Sequence, residues 1–343
     1  MKRCLFCYEP IHKQNPGLSD FHHTCSKLFF REPEPPELPW STENIDKLAT
    51  KIVRSRFTVT GVQPKLSLDI ARTLGNMGAA SKISSGSRAS KARTRLTIVD
   101  VPGNYILKPP SGLYPHLPEN EHLCMRLAGL AGINVVPNTL IKMKDGVLAY
   151  LTRRIDRTEF QSKTKTVVEK LHMEDMCQLT NRLTENKYKG SYEKIGKTIK
   201  EFSANPLLDV INFYEQVLFS FLTGNADMHL KNFSLIQDPR FVDSRTGYVL
   251  SPAYDMVSTA LVIKDDEELA LTLSGKKKKI TRDDFEKALS EIGVYPKSVE
   301  NIFNKFSAII PVWQNCIQKS FLPKRKQTQL ISIIHERATV LNL

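Results

Sequence analysis

The segment from Leu207 to Leu222 is apolar on nearly every face of a helix. Such a pattern predicts a helix that is buried on all sides. Gly224 then stands in the position of a helix C-cap, and the chain continues into a polar segment, residues 225–232. A buried helix that leads directly into a dense polar loop indicates a functional site.

Two short apolar segments, 233–236 and 248–254, flank a polar loop that contains proline and glycine. This pattern predicts two strands that pair as an antiparallel hairpin. In such a hairpin the start of the first strand meets the end of the second. Asn232 and Asp255, which stand at those two ends, should therefore lie close together.

The residues Asp227, Asn232 and Asp255 have the spacing of a kinase catalytic loop, Asp-x-x-x-x-Asn, followed downstream by a metal-binding aspartate. Phosphoryl transfer needs a carboxylate near the acceptor hydroxyl and oxygen ligands for a Mg²⁺ ion that bridges the phosphates. We predict that Asp227 fills the first role and that Asn232 and Asp255 fill the second. The alternative is that all three are ordinary turn and cap residues, since Asn and Asp favour turns.

Lys108 ends a segment, 104–108, that has the pattern of a strand and is followed by two prolines. It is the candidate for a lysine that binds the ATP phosphates. Glu121 lies near the start of a predicted helix, 119–130, whose leucines share one face, and it could position Lys108 through an ion pair. Alternatively, Glu121 is a carboxylate that merely favours a helix N-terminus.

The segment 57–68 alternates in polarity around a glycine and predicts two strands joined by a small turn. Thr58, Val59, Thr60 and Gly61 could cover the nucleotide phosphates, because glycine allows close approach of the backbone. An ordinary hairpin is the alternative, since the segment matches neither the P-loop nor the Gly-x-Gly-x-x-Gly pattern.

Together these segments resemble the HipA-like serine/threonine kinases of bacterial toxin–antitoxin systems. The matching segments occur in the family's order, and residues 273–281 extend the resemblance into the C-terminal lobe. The matches are Gly61–Ser67, Ile106–Lys108, Glu119–Glu121, Thr152–Arg157, His172–Gln178, Gly224–Ser234 and Pro252–Asp255.

The resemblance implies an α+β fold of the bilobal protein-kinase type, with a β-rich N-lobe and a mainly helical C-lobe. It implies ATP and Mg²⁺ as cofactors. Lys108 would bind the ATP phosphates and Asp227 would be the catalytic aspartate. His229 would order the catalytic loop, and Asn232 and Asp255 would hold Mg²⁺.

The resemblance also places Arg153 and Ile155 at the hinge that holds adenine, where long HipA proteins carry Glu and Phe. Because only 57 residues precede Thr58, the chain resembles the short HipT type. In that type a separate HipS-like antitoxin replaces the missing N-terminal subdomain and is encoded beside a HipB-like DNA-binding protein. Thr58 and Thr60 match hydroxyls that are autophosphorylated in HipT-type kinases, where added negative charge would oppose nucleotide binding. Two threonines also simply favour a strand.

The known targets of this family are aminoacyl-tRNA synthetases, glutamyl for HipA and tryptophanyl for HipT. The resemblance therefore implies such a synthetase as substrate, with the tryptophanyl enzyme favoured, and arrest of translation as the outcome. Two other functions stay open. The protein could be a pseudokinase or scaffold that binds antitoxin partners, or a small-molecule phosphotransferase, which shares the catalytic aspartate.

We expect three regions along the chain. Residues 1–40 form a small Cys- and Pro-rich segment. Residues 41–155 form the N-lobe, with a phosphate loop at Thr58–Gly61 and a mobile basic loop at 76–95. Residues 156–343 form the helical C-lobe, with the catalytic loop 224–232, Asp255 and final helices near Asp283–Ile292 and Gln327–Leu341.

The net charge of +13 favours acidic partners or nucleic acid. Much of it lies in two clusters, 81–95 and 276–279, which are typical of solvated surfaces, and we expect no direct sequence-specific DNA binding. The absence of a signal peptide or long apolar segment predicts a cytoplasmic protein without a membrane span, although delivery into a host cell stays open.

The six cysteines are scattered, which is typical of a reducing compartment. Cys4-x-x-Cys7 and the pair His22 and Cys25 could nevertheless supply four tetrahedral ligands to a structural Zn²⁺ ion. The alternative is a group of buried or surface thiols.

Overall fold

The structure is a computed structural model, and it describes residues 2–11, 20–45, 65–73, 93–99, 103–161, 166–238, 247–263 and 267–343. The proposed phosphate loop, Thr58–Gly61, and most of the proposed basic loop, 76–95, lie outside these residues. The chain divides into two compact units. The first comprises Met1–Leu113 and Pro137–Arg154, and the second comprises Tyr114–Val136 and Ile155–Leu343.

The first unit is built on a five-stranded antiparallel sheet with the order β2-β1-β3-β5-β4. Alternating leucines on these strands form its core, because one face of each strand is buried. The predicted strand that ends at Lys108 is confirmed as β3. The strands are Leu66–Thr73 (β1), Arg93–Ile98 (β2), Tyr105–Lys108 (β3), Asn138–Lys142 (β4) and Leu148–Arg153 (β5).

A short helix, His23–Phe30 (α1), precedes this sheet in the chain and belongs to the same unit. Its last two residues, Phe29 and Phe30, are buried, and their rings contact Tyr105 of β3 at centroid distances of 5.9 and 6.3 Å. The N-terminal residues therefore pack on the strand that carries Lys108.

The second unit is mainly helical. The predicted buried helix is confirmed as Pro206–Thr223, although Leu207 and Leu208 at its start are 46% and 58% exposed. The predicted helix that contains Glu121 is also confirmed. The helices are Leu117–Leu130 (α2), Met176–Leu179 (α3), Tyr192–Phe202 (α4), Pro206–Thr223 (α5), Arg282–Glu291 (α6), Pro296–Lys319 (α7) and Lys324–Val340 (α8). Short 3-10 turns occur at Thr184–Asn186, Leu230–Asn232 and Thr259–Leu261.

The described strands of the second unit form two small sheets. Arg157–Gln161 (β6) pairs with Thr166–Lys170 (β7), and Met173–Asp175 (β8), Ser234–Gln237 (β9) and Tyr248–Leu250 (β10) form a sheet of order β10-β9-β8. The antiparallel pairing of β9 with β10 confirms the predicted hairpin. Its second strand ends at Leu250 rather than at residue 254, because Pro252 has no N–H to donate to a ladder.

The segment 114–136, which the sequence pattern placed in the N-lobe, belongs to the second unit. Trp313 of α7 contributes to this grouping, since its indole N–H donates to the carbonyl oxygen of Leu127 on α2 at 2.8 Å. Among the described residues, no helix has both the length and the apolar composition that crossing a bilayer requires.

Candidate active site

The proposed catalytic loop begins where α5 ends at Gly224, whose φ of 72° lies in the left-handed region. Thr259 holds this point from the side. Its hydroxyl donates to the carbonyl oxygen of Gly224 at 3.1 Å and accepts from the backbone N–H of Ala226 at 2.9 Å. The backbone N–H of Ala260 also donates to the Gly224 carbonyl oxygen, at 3.0 Å. The entrance to the loop is therefore fixed to the turn Thr259–Leu261.

Asn120 of α2 fixes the turn Thr259–Leu261 through the preceding residue, Ser258. The Asn120 side chain donates to the carbonyl oxygen of Ser258 at 2.9 Å and accepts from its backbone N–H at 3.1 Å. Asn120 is buried, and these two hydrogen bonds satisfy polar groups that water cannot reach. The matched segment Glu119–Glu121 thus contributes to the site through its central residue.

The backbone of Asp227 is held from both sides. Its N–H donates to the side-chain oxygen of Asn225 at 3.0 Å, and its carbonyl oxygen accepts from the side-chain amide of Asn232 at 2.9 Å. The Asp227 side chain remains 43% exposed. Because the NH₂ group of Asn232 donates to the loop backbone, its amide oxygen can coordinate a cation or accept a hydrogen bond. The loop therefore presents a carboxylate and an amide oxygen from a fixed backbone.

Tyr188 and His229 form one wall beside Asp227. The Tyr188 hydroxyl donates to Asp227 Oδ1, and its ring meets the His229 imidazole edge-on at a centroid distance of 4.9 Å. His229 Nε2 lies 4.0 Å from the same carboxylate oxygen. Burial lowers the pKa of His229, and the nearby Asp227 and Asp255 carboxylates oppose this shift. We therefore expect a neutral imidazole that packs and orders the loop.

Asp255 follows the β9–β10 hairpin and has a φ of 56°, a left-handed conformation that non-glycine residues seldom adopt and that is often found at functional sites. Its neighbour Tyr254 hydrogen-bonds to Ser234 Oγ at 2.5 Å and donates to the carbonyl oxygen of Lys231 at 3.1 Å. Ser234 and Lys231 flank Asn232 closely in sequence. Tyr254 thus contacts residues on both sides of Asn232, and the convergence of the Asn232 and Asp255 side-chain oxygens stays a prediction.

An ion pair holds the end of the loop. Lys231 Nζ lies 2.6 Å from Asp175 Oδ2. Asp175 is itself fixed, because it caps α3 by accepting from the N–H groups of Cys177 and Gln178, and Gln178 reciprocates as a capping box. The matched segment His172–Gln178 therefore supports the catalytic loop through this pair.

The remaining proposed nucleotide-binding residues lie on other elements. Lys108 is buried at the end of β3, with its ammonium 5.4 Å from the ring centroid of Tyr150. Arg153 ends β5 and pairs with Tyr105 of β3. Ile155 lies two positions later and begins the segment 155–343 of the second unit. Glu121 is buried on α2. Its pairing with Lys108 stays a prediction, as do the roles of Thr58, Val59, Thr60 and Gly61, which lie outside the described residues.

The proposed zinc ligands come together in the first unit. One potential ligand atom from each of Cys4, Cys7, His22 and Cys25 lies within 4.8 Å of all the others. A hydrogen bond with the Cys7 side chain lowers the pKa of the Cys4 thiol to about 5, against the opposing effect of burial.

Several residues that shape the site were not found from the sequence. Asn225 stands two positions before Asp227, so its side-chain hydrogen bond to the Asp227 N–H, an Asx turn, could have been read from the polar loop itself. Tyr188 and Thr259 gave no such signal, because they reach the loop across distant parts of the chain.

Residues 57–313 match the family model described as the HipA-like C-terminal domain, and this match spans well over half of the chain. The chain belongs to the HipA-like C-terminal domain family. The predicted resemblance is confirmed at this level, whereas the short HipT form stays a prediction.

Named relatives of this HipA-like protein include kinases. It is 36% identical over 188 residues to the putative kinase Y4dM of Sinorhizobium fredii, covering 51% of this chain and 42% of Y4dM. It is 28% identical over 235 residues to the serine/threonine-protein kinase toxin HipA of Shewanella oneidensis, covering 64% of this chain and 47% of that protein. The chain therefore spans less than half the length of these two curated relatives.

The fold of the HipA-like protein also resembles a chain from the Shewanella oneidensis complex of HipA, HipB and operator DNA. The TM-score is 0.61, with 21% identity over 89% of this chain and 74% of that chain. This likeness confirms the predicted α+β fold of the HipA kinase type.

Proposed function

We propose that this HipA-like protein is an ATP- and Mg²⁺-dependent serine/threonine protein kinase. The observation that carries the proposal is the Asp227 loop, in which an exposed carboxylate stands on a backbone held by Asn225 and Asn232. A kinase requires such a fixed carboxylate, because phosphoryl transfer is promoted chiefly by positioning and electrostatics.

In this mechanism Asp227 orients the acceptor hydroxyl and accepts its proton as the acceptor oxygen bonds to the γ-phosphorus of ATP and the bond between that phosphorus and the oxygen of the departing ADP breaks. Tyr188 holds one Asp227 oxygen, and the other is left for the acceptor hydroxyl. Lys108 supplies positive charge to the nucleotide phosphates. His229 is buried and packs on the ring of Tyr188, and its neutral imidazole orders the loop without adding charge to the site.

The free amide oxygen of Asn232 and the carboxylate of Asp255 fit Mg²⁺, which prefers oxygen ligands. When bound, Mg²⁺ would neutralise charge on the phosphates. This ligand pair contains only oxygen donors and neither a thiol nor an imidazole, so it favours a hard cation over zinc.

The biological role follows from the family resemblance. We infer a toxin that phosphorylates an aminoacyl-tRNA synthetase, with the tryptophanyl enzyme favoured, in the cytoplasm. Its regulators would be a HipS-like antitoxin, a HipB-like DNA-binding protein and autophosphorylation at Thr58 and Thr60. Support comes from the relative that is named a toxin and from a similar fold found in a complex with HipB and operator DNA.

The test is transfer of labelled phosphate from Mg-ATP to proteins of a cytosolic extract, followed by mass spectrometry of the labelled band. We expect Asp227→Asn to reduce transfer about 10²–10⁴-fold and to abolish growth arrest on expression. Asp283→Asn, at an exposed position on α6, is the matched control and should retain both. Transfer at the wild-type rate by Asp227→Asn would exclude the proposed mechanism, and arrest without transfer would favour a scaffold.

A further inference from the structure

The four N-terminal Cys and His residues stand on two local structures that face each other. The first is a tight turn at Cys4–Cys7. Its ends are held by a backbone bridge between Arg3 and Pro10, and the N–H of Tyr8 donates to the carbonyl oxygen of Cys4 at 2.9 Å. Tyr8 has a φ of 68°, which turns the chain back after Cys7. This turn directs two cysteines three positions apart toward one point.

The second structure is the start of α1. His22 is the residue that precedes the helix, and Cys25 lies in its first turn. The N–H of Ser26 donates to the His22 carbonyl oxygen at 2.9 Å, which fixes the first helical turn. His22 and Cys25 are thereby held on one side of the helix start, three positions apart.

The distances from His22 to two of the cysteines match a zinc tetrahedron. Nδ1 of His22 lies 3.3 Å from Cys7 Sγ and 3.7 Å from Cys25 Sγ. A tetrahedral zinc ion with Zn–S of about 2.3 Å and Zn–N of about 2.0–2.1 Å separates a sulfur ligand from a nitrogen ligand by about 3.5 Å. The two observed separations lie on either side of this value.

The tautomer of His22 also suits a metal. Its Nε2 lies 3.0 Å from the carbonyl oxygen of Pro10. A carbonyl oxygen can only accept, so Nε2 carries the proton and Nδ1 directs its lone pair at the sulfurs of Cys7 and Cys25. Metal-binding histidines commonly have such a second partner, which fixes both the tautomer and the ring orientation.

We propose that Cys4, Cys7, His22 and Cys25 bind one Zn²⁺ ion as a closed structural site. Four protein ligands leave no open position for a substrate, so the ion would stabilise the fold and not take part in phosphoryl transfer. A metal explains why three thiols and an imidazole converge at one point.

The site would brace the sheet of the first unit. Leu5, inside the Cys4–Cys7 turn, accepts at its carbonyl oxygen from the N–H of Leu140 on β4 at 3.4 Å. Asp20, just before His22, pairs with Lys142 of the same strand at 2.8 Å. The rings of α1 cover Tyr105, three residues before Lys108. Loss of the ion should therefore loosen packing on β3 and β4.

The metal content of the untagged full chain tests the proposal by elemental mass spectrometry. We expect about one zinc per chain in the wild type and less than about 0.1 in the double variant Cys7→Ser/Cys25→Ser. Cys316→Ser, a buried cysteine on α7, is the matched control and should keep the metal. Wild-type protein that lacks zinc after growth in zinc-supplemented medium would overturn the proposal, as would a double variant that retains it.

A second measurement uses only the wild type, in case the double variant does not fold. Zinc is exchanged for Co²⁺, and the visible spectrum is recorded. A tetrahedral ion with three thiolates gives intense d–d bands and sulfur-to-cobalt charge transfer. A weak octahedral spectrum without charge transfer would show only adventitious metal and reject the site. Neither measurement depends on kinase activity.

Discussion

Replacement of Gly224 by alanine should distort the entrance to the catalytic loop. Gly224 has a φ of 72°, and a Cβ atom added there would lie 2.8 Å from Cβ of Ala260, closer than two carbon atoms can pack. The left-handed conformation costs an alanine about 1–2 kcal/mol. Overpacking adds about 1–3 kcal/mol. We therefore expect Gly224→Ala to lower the free energy of unfolding by about 2–5 kcal/mol.

Gly275→Ala is the control that separates the two contributions. Gly275 has a φ of 77°, but no atom lies within 4 Å of its added Cβ. This variant should carry the backbone cost of about 1–2 kcal/mol alone. Any effect of the extra methyl group on the unfolded chain is common to both variants and cancels in the comparison.

Urea unfolding followed by circular dichroism gives the free energy of unfolding of each variant, and phosphate transfer gives its activity. The contact with Ala260 should appear as a difference of about 1–3 kcal/mol between the two variants. Activity should fall only in Gly224→Ala, because Ala260 must move and Thr259 moves with it. Equal destabilisation and equal activity of the two variants would refute the close-packing argument.

Two further predictions concern the wall beside Asp227. Tyr188→Phe removes the hydrogen bond to Asp227 and keeps the ring against His229. Since Asp227 is 43% exposed, we expect transition-state stabilisation to fall by only about 1 kcal/mol, which is roughly a 5-fold lower kcat. An unchanged kcat in Tyr188→Phe would contradict this expectation. Burial lowers the pKa of His229 below its ordinary value of 6.5, so the unfolded chain binds the proton more readily and stability is lost as the pH falls through 6.5. When the pH is lowered from about 7.5 to about 5.5, the urea midpoint of His229→Asn should therefore fall less than that of the wild type. An equal fall in both proteins would refute the assignment of this pH dependence to His229.

The sequence predicted the elements whose pattern is local. The helix α5 was found because its segment is apolar on nearly every face, and the strand β3 and the β9–β10 hairpin were found because short apolar segments are bounded by proline or glycine. Helix α7, Pro296–Lys319, was not assigned, and Pro311 in its interior is a residue that normally argues against a helix. The contacts of Tyr188 and Thr259 with the loop were also missed, because they depend on tertiary packing and no short-range pattern records them.

The architecture of the loop has a consequence for catalysis. Asn120 fixes Ser258, Thr259 fixes the backbone on both sides of Asn225, and Asn225 and Asn232 fix the backbone of Asp227. Each of these bonds joins a side chain to a backbone group, so the position of the Asp227 carboxylate is determined by the surrounding fold before any substrate binds. A preorganised carboxylate needs little rearrangement when charge develops in the transition state. The activity proposed for Asp227 should therefore depend on Asn120 and Thr259, although neither residue belongs to the catalytic loop itself.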